Sequence, residues 1–205
     1  MQTSTSAASP GLRERKKQRT RQAIIEAALG LYQERGYEGV TVAEIARRAD
    51  VAPRTFFGYF ESKEDVFLGP GDDHLERVIR AIRERQRGVP ILTAVRRELL
   101  RRDQPRREAA GSTRPHLAEL LRQPAVQNRL RERWNRWEDE LATVIAADVG
   151  AAPRDPEPRV IAALVTAAIR IASESAAARE SGREAVAARV FELIASGLAN
   201  YGGSA

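Results

Sequence analysis

Arg54 stands in the run Val51-Ala52-Pro53-Arg54-Thr55-Phe56-Phe57-Gly58-Tyr59-Phe60, where a guanidinium could do recognition chemistry. It follows a proline suited to the first turn of a helix, and its two parallel N–H donors match the O6 and N7 acceptors of a guanine edge. Upstream, Thr41 lies three residues before Glu44, the spacing at which each side chain satisfies a free backbone N–H at a helix start. The Thr41 hydroxyl and the first N–H groups of that helix could also hold a phosphate. Ser62 and Asp65 repeat the spacing with Asp in place of Glu. Near the beginning, Arg13 to Arg21, with Arg19 inside it, carries net +5 in nine residues. Such a run is either a solvated helix face or a contact for phosphates or a minor groove.

These residues need short helices to position them. The caps predict a helix over about 41–48, a tight turn through Asp50 and Val51, and a second helix over about 53–59, the layout of a helix-turn-helix. A preceding helix is expected from Leu12 to Arg35, with Ile24, Ala28 and Leu31 on one face beside Ile25 and Tyr32, and Gly36 as a left-handed cap. Phe56, Phe60, Val66 and Phe67 read as packing residues. A short recognition helix reads only a few base pairs. Two of them, held by a dimer about 34–36 Å or a multiple of that apart, read a palindrome, so dimerisation is part of the expected mechanism.

The order of residues resembles the DNA-binding head of the TetR family of bacterial regulators. The likeness rests on Gly36-Tyr37, on Thr41-Val42-Ala43-Glu44-Ile45-Ala46, on Val51 to Phe60, and on Ser62-Lys63-Glu64-Asp65. It covers about 50 residues and does not extend into the C-terminal part. The resemblance implies an all-α chain: an N-terminal three-helix helix-turn-helix domain, then a C-terminal helical ligand-binding and dimerisation domain. The boundaries expected are a disordered tail over 1–11, the head over 12–68 and the effector and dimerisation domain over 69–205. It implies a DNA-facing set of Arg19, Thr41, Val42, Pro53, Arg54, Thr55, Phe57, Gly58, Tyr59 and Lys63. Within that set Thr55 matches a position contacting phosphate or base, and Tyr59 and Lys63 match phosphate clamps. Phe57 replaces a common Tyr, which removes a hydroxyl and leaves apolar contact with sugar or a thymine methyl. Gly69-Pro70-Gly71 ends the fourth helix earlier than in the family at large, a departure that weakens any rigid-lever coupling between head and remainder.

Composition bounds the other possibilities. The 205 residues carry a formal net charge of +6, consistent with a polyanionic partner, although 31 of the 34 basic residues are Arg, a bias that genome composition also produces. Residues 1–68 are net +2, 74–137 net +10 and 138–205 net −4, so the strongest positive field lies outside the head. The absence of cysteine excludes disulfides, thiolate metal sites and Cys nucleophiles. No apolar run is long enough for a membrane span and no signal-peptide core is present, so a soluble, cytoplasmic chain without membrane contact is expected. Two histidines, 42 residues apart, and no nucleophile, phosphate-loop or metal motif speak against an enzyme.

Beyond the head, Asp73 and Glu76 are expected to cap the next helix, and helices are expected over about 73–87, 91–103, 115–122, 125–147, 157–180 and 183–200. The effector, by resemblance a small molecule bound among the middle helices, is assigned to Arg97, His116, Leu120, Leu130, Trp134 and Trp137; the two Trp residues line a pocket or fill core. The basic middle segment, with Arg77, Arg80, Arg96, Arg97, Arg101, Arg102, Arg106 and Arg107, suggests an anionic effector such as a carboxylate or an acyl-coenzyme A, and no cofactor or metal. Apolar stripes with many Ala residues suit a four-helix bundle between two subunits, the mode of dimerisation the resemblance implies, with the homodimer interface expected at Ile161, Leu164, Val165, Ile169, Val190, Phe191, Ile194 and Leu198. The alternative to an effector-released repressor is a DNA-binding dimer whose C-terminal half serves dimerisation or protein contacts alone.

Overall fold

In the computed structural model, residues 11–69, 72–101, 119–174 and 183–196 are described, and all regular structure among them is helical. The helices are α1 (Leu12–Arg35), α2 (Val42–Arg48), α3 (Pro53–Phe57), α4 (Lys63–Leu68), α5 (Asp72–Arg83), α6 (Ile91–Leu99), α7 (Pro124–Val149), α8 (Pro156–Glu174) and α9 (Arg183–Ala195). The described residues form two compact units, one holding 11–69 together with 119–127, the other holding 72–101 and those from Asn128 onward. The expected boundary is at 68/69; the first unit runs to Gly69, and residues 119–127, expected in the C-terminal part, group with it.

Local chemistry explains the starts and stops of the head. Thr41 Oγ accepts the Glu44 N–H at 3.3 Å, while Glu44 Oε2 accepts the Thr41 N–H at 3.2 Å and its hydroxyl at 2.8 Å, a complete capping box. Those bonds, chiefly the one from the Thr41 hydroxyl, hold the Glu44 carboxyl below its usual value, helped by the Arg35 guanidinium at 2.6 Å. Ser62 Oγ accepts the Asp65 N–H at 3.3 Å and donates to its carboxylate at 3.1 Å, starting α4. α1 stops at Gly36, whose φ of 70° and N–H bond to Tyr32 O at 2.8 Å end the helix. The turn between α2 and α3 passes through Asp50 at φ 54°, a left-handed residue other than glycine. α3 is shorter than expected: Gly58 and Tyr59 leave the helix in a tight turn, with Gly58 N–H bonded to Thr55 O at 3.1 Å.

The head's core runs from Ile24, Ala28 and Leu31 of α1 through Ile45 and Ala46 of α2 and Phe56 of α3 to Val66 and Phe67 of α4. Leu120 and Val126, both with no exposed surface, complete it from a distant part of the chain. Tyr32 and Tyr37 meet the Phe67 ring at 5.8 and 6.1 Å. The connection from α1 to α2 is tight. A Cβ on Gly39 would lie 2.7 Å from Arg35 Cβ and 2.8 Å from its carbonyl oxygen, so only glycine fits there.

The second unit surrounds a separate core. Leu75, Val78 and Ile82 of α5, Ile91 and Val95 of α6, Leu141 and Ile145 of α7, Val165 and Ile169 of α8 and Phe191 of α9 converge in it. α5 stops at Arg83 and not near residue 87, because Arg85 turns back to donate to Ile82 O and Val89 O, each at 3.0 Å, and to clasp the Asp148 carboxylate. That pairing raises the Arg85 pKa further above its already high value. Arg159 Nη1 joins α8 to α7 through Asp139 at 2.7 Å. The side chains of Asp72 and Asp73, and most of the expected 115–122 helix, fall outside the described residues.

Two outcomes follow for the α2 cap. Thr41→Ala destabilises the protein by about 1 kcal/mol in urea denaturation at neutral pH. Because the Glu44 pKa is lowered on folding, its contribution is present above the ordinary carboxylate range and lost as pH falls through the depressed value. The stability gap between the native chain and Glu44→Gln therefore closes in acid, read as converging urea midpoints.

Candidate nucleic-acid interface

α3 divides its side chains sharply. Phe56 has no exposed surface, whereas the adjoining Phe57 is 57% exposed. Pro53, Arg54 and Gly58 are exposed, and Thr55 and Tyr59 are half-buried. Phe56 packs against Phe60 at 5.8 Å and meets Phe57 edge-on at 5.5 Å and 85°. Arg54 precedes Phe57 by three residues and shares its helix face. Val42 and Tyr59 also pack against the head core, so part of each surface is committed inward.

The same unit carries further basic groups. Arg13, Arg15, Lys16, Lys17 and Arg19 are exposed along the opening turns of α1, and the Arg21 guanidinium lies 5.0 Å from the Phe60 ring centre. Arg47 is exposed on α2. Arg48 is paired with Glu34 at 2.7 Å, and Gly30 leaves room for its guanidinium, since a Cβ there would meet it at 3.2 Å. Arg54 and the exposed α1 cations have the donor types that guanine edges and phosphates accept.

Lys63 has an internal role that its position in the sequence does not show. Its Nζ donates to Val40 O at 2.9 Å and to Tyr37 O at 3.2 Å and sits 4.1 Å over the Tyr37 ring. The next residue, Glu64, accepts the Tyr37 hydroxyl; burial first, then that bond, pushes the phenol pKa up. Two consecutive α4 residues thus fasten the corner from which α2 starts. The signal was Tyr37 and Lys63 standing 26 residues apart, a pairing no local pattern contains. Gly39 was also missed, although its constraint is local, the close approach of Arg35 four residues earlier.

The expected effector residues do not form one group. Leu120 is in the core of the first unit, a correction that follows from its complete burial against head residues. Arg97 is exposed on α6, Leu130 is half-buried on α7, and His116 lies outside the described residues. Trp137 is 4% exposed and fills the core of the second unit, with half-buried Trp134 edge-on at 4.9 Å and His74 stacked at 6.1 Å. Arg77 reaches His74 Nδ1 at 2.7 Å and Glu98 at 3.3 Å. Because a guanidinium only donates, Nδ1 is the acceptor and the ring proton sits on Nε2. Arg80, Arg96, Arg97 and Arg101 are exposed, so their charge is at the surface, and Arg102, Arg106 and Arg107 lie outside the described residues. A shallow groove of about 320 Å³ lined by Arg83, Thr143, Val144, Ala147 and Asp148 lies further along α7, away from the Trp pair.

The expected dimer residues also need correction. Val165, Ile169 and Phe191 are at most 3% exposed and belong to the unit's own core, against which Ile161, Val190 and Ile194 also pack. The periodicity located an apolar stripe but not which body it serves. The outward stripe of α8 is instead Val160, Leu164, Ala167 and Ile171, with Val160 56% and Ile171 43% exposed. Leu164 is half-buried on that stripe, and Leu198 lies outside the described residues.

The fold and the exposed α3 face define a helix-turn-helix DNA-binding regulator. Residues 24–69 match the TetR_N family of bacterial regulatory proteins, and residues 89–199 match the family TetR_C_14, described as the MftR C-terminal domain. The chain is 37% identical over 171 residues to the HTH-type transcriptional regulator TcmR of Streptomyces glaucescens, covering 80% of this chain and 76% of TcmR. It is 25% identical over 148 residues to MftR of Mycobacterium tuberculosis (strain ATCC 25618 / H37Rv), named for mycofactocin biosynthesis, covering 72% of this chain and 75% of that one. Among solved structures, Salmonella enterica GusR is similar over 86% of this chain and 94% of its own, at 22% identity and a TM-score of 0.45. The chain belongs to the TetR family of transcriptional regulators and is not an enzyme. Among the described residues no helix is long and apolar enough to cross a membrane, and no cluster of His, Asp and Glu could hold a metal ion.

Replacing Lys63 by Met removes two charge-assisted bonds to carbonyls. It is expected to cost about 1–3 kcal/mol of stability, read as a lower melting temperature of the DNA-free protein. A lysine that served phosphates alone would leave that temperature unchanged.

Proposed function

We propose that the chain is a homodimeric repressor that binds a palindromic operator and is released from it by a small molecule. The observation that carries this reading is the outward face of α3, where Arg54 and Phe57 are exposed one turn apart on a helix anchored by fully buried Phe56. In the major groove, Arg54 donates to guanine O6 and N7. Thr55, Tyr59 and the α1 cations including Arg19 hold phosphates and set the register. The backbone at Thr41 and Pro53 approaches the duplex, and Gly58 adds no side chain to obstruct it.

One head reads too little sequence for a unique site, so two must be held at a fixed separation. The stripe Val160, Leu164, Ala167 and Ile171 on α8, beside half-buried Val186 and Leu193 on α9, supports a subunit interface there. Such a surface gains by being covered in a second copy. For the effector, the His74–Trp137–Trp134 cluster with Arg77 and Glu98 is the proposed sensing region. The Arg77 charge is matched by Glu98, and the other described arginines of α5 and α6 are exposed, so anion binding has less support than the net charge of the segment suggested. A ligand there shifts operator affinity only by binding the DNA-free arrangement better than the DNA-bound one.

Footprinting on the DNA upstream of the chain's own gene is the direct test of operator binding. Arg54→Ala is expected to lower discrimination between operator and scrambled duplex by about 1–3 kcal/mol, measured at fixed salt. The double variant Leu164→Arg, Ile171→Glu is expected to sediment as the 22.7 kDa monomer and to lose operator binding by about a hundredfold or more, while remaining helical. A dimer that survives both charges would remove this interface from consideration. If operator affinity does not respond to any stabilising small molecule, the chain acts as a dimer without an effector.

A further inference from the structure

We propose that Phe57 reads the C5-methyl group of a thymine in each half-site, one or two base pairs from the guanine assigned to Arg54. The inference rests on the reading of α3 as the recognition helix and adds a base preference that this reading leaves open. Phe57 is the one exposed large apolar side chain of α3, at 57%. Its phenyl ring has no donor or acceptor for a phosphate or a polar base edge. The core does not need it, because the neighbouring Phe56 supplies the buried ring. It stands edge-on to Phe56, with the ring centres 5.5 Å apart. Next to it, Gly58 offers no side chain, and a Cβ built there would meet only Thr55 O.

On major-groove base edges the thymine methyl is the apolar group an outward phenyl ring can cover, whereas contact with sugar would give no response to loss of that methyl. The separation is set by the helix. Arg54 and Phe57 are three residues apart, about 4.5 Å along the axis at 1.5 Å per residue. Successive base pairs are about 3.4 Å apart. The two side chains therefore span one to two base-pair steps, which places the methyl close to the guanine.

The test uses the full-length protein and a footprinted operator in which each thymine in turn is replaced by deoxyuridine, which lacks only the methyl. At about 0.8 kcal/mol per buried carbon, one substitution weakens binding about fourfold, and the symmetric pair about fifteenfold. Phe57→Ala weakens binding to the native operator by a similar factor and becomes indifferent to the same deoxyuridine. Because its side chain is largely outside the core, its melting temperature is expected to stay near that of the native chain. The proposal is overturned if no thymine responds, or if Phe57→Ala remains sensitive to the same position. Neither result touches the recognition-helix reading, which fails separately if the native chain does not prefer its operator to scrambled duplex.

Discussion

A helix of five residues has no stability of its own, since nucleating one turn costs more than its few hydrogen bonds return. α3 exists because Phe56 is driven into the head core, where Phe60 and the residues around Ile24 and Ile45 enclose it. Every outward feature of the DNA-facing surface depends on that insertion. Burying one ring fixes the rotation of the helix about its axis, and rotation decides that Arg54 and Phe57 point out together. Losing the ring would therefore disturb recognition and folding at once, and the two effects cannot be separated at Phe56.

The entry to α2 relies on a second kind of constraint. The corner at 37–40 is too tight for any side chain at Gly39, and the Lys63 ammonium satisfies two of its carbonyls. A cation in the first turn of α4 is poorly placed with respect to the helix dipole. Its bonds to the Tyr37 and Val40 carbonyls and its place over the Tyr37 ring offset that cost. Tyr37 is in turn tied to Glu64, so α4 holds the loop by side chains of both charges. The Arg35–Glu44 and Arg48–Glu34 pairs add exposed, solvent-screened links between α1 and α2.

What the sequence revealed was local. The capping box at Thr41 and Glu44, the Ser62 cap, Pro53 opening α3 and Gly36 closing α1 are all written within four residues of chain, so each is legible without the fold. Helical periodicity also gave the apolar stripes of α7, α8 and α9. It could not say which stripe of α8 faces its own unit, because Val165 and Ile169 differ from Leu164 and Ile171 in neighbours and not in type. Leu120 entering the head core, and Arg85 turning back onto Asp148, depend on residues brought together from far apart. The composition of the middle segment gave a charge without its location. With Arg77 matched by Glu98 and Arg80, Arg96 and Arg97 at the surface, that charge does not by itself describe a binding site.

Asp50 carries a further implication. At φ 54° it occupies a conformation costing an L-amino acid roughly 1–2 kcal/mol. Glycine would relieve that strain but would also give the unfolded chain more freedom to lose, so the two changes largely cancel. The position is consequently permissive for Asp, Asn and Gly and closed to branched side chains. The bend between the two helices of the motif is secured by tolerance at one residue, which leaves the neighbouring surface free to diversify toward new DNA sequences without rebuilding the hinge.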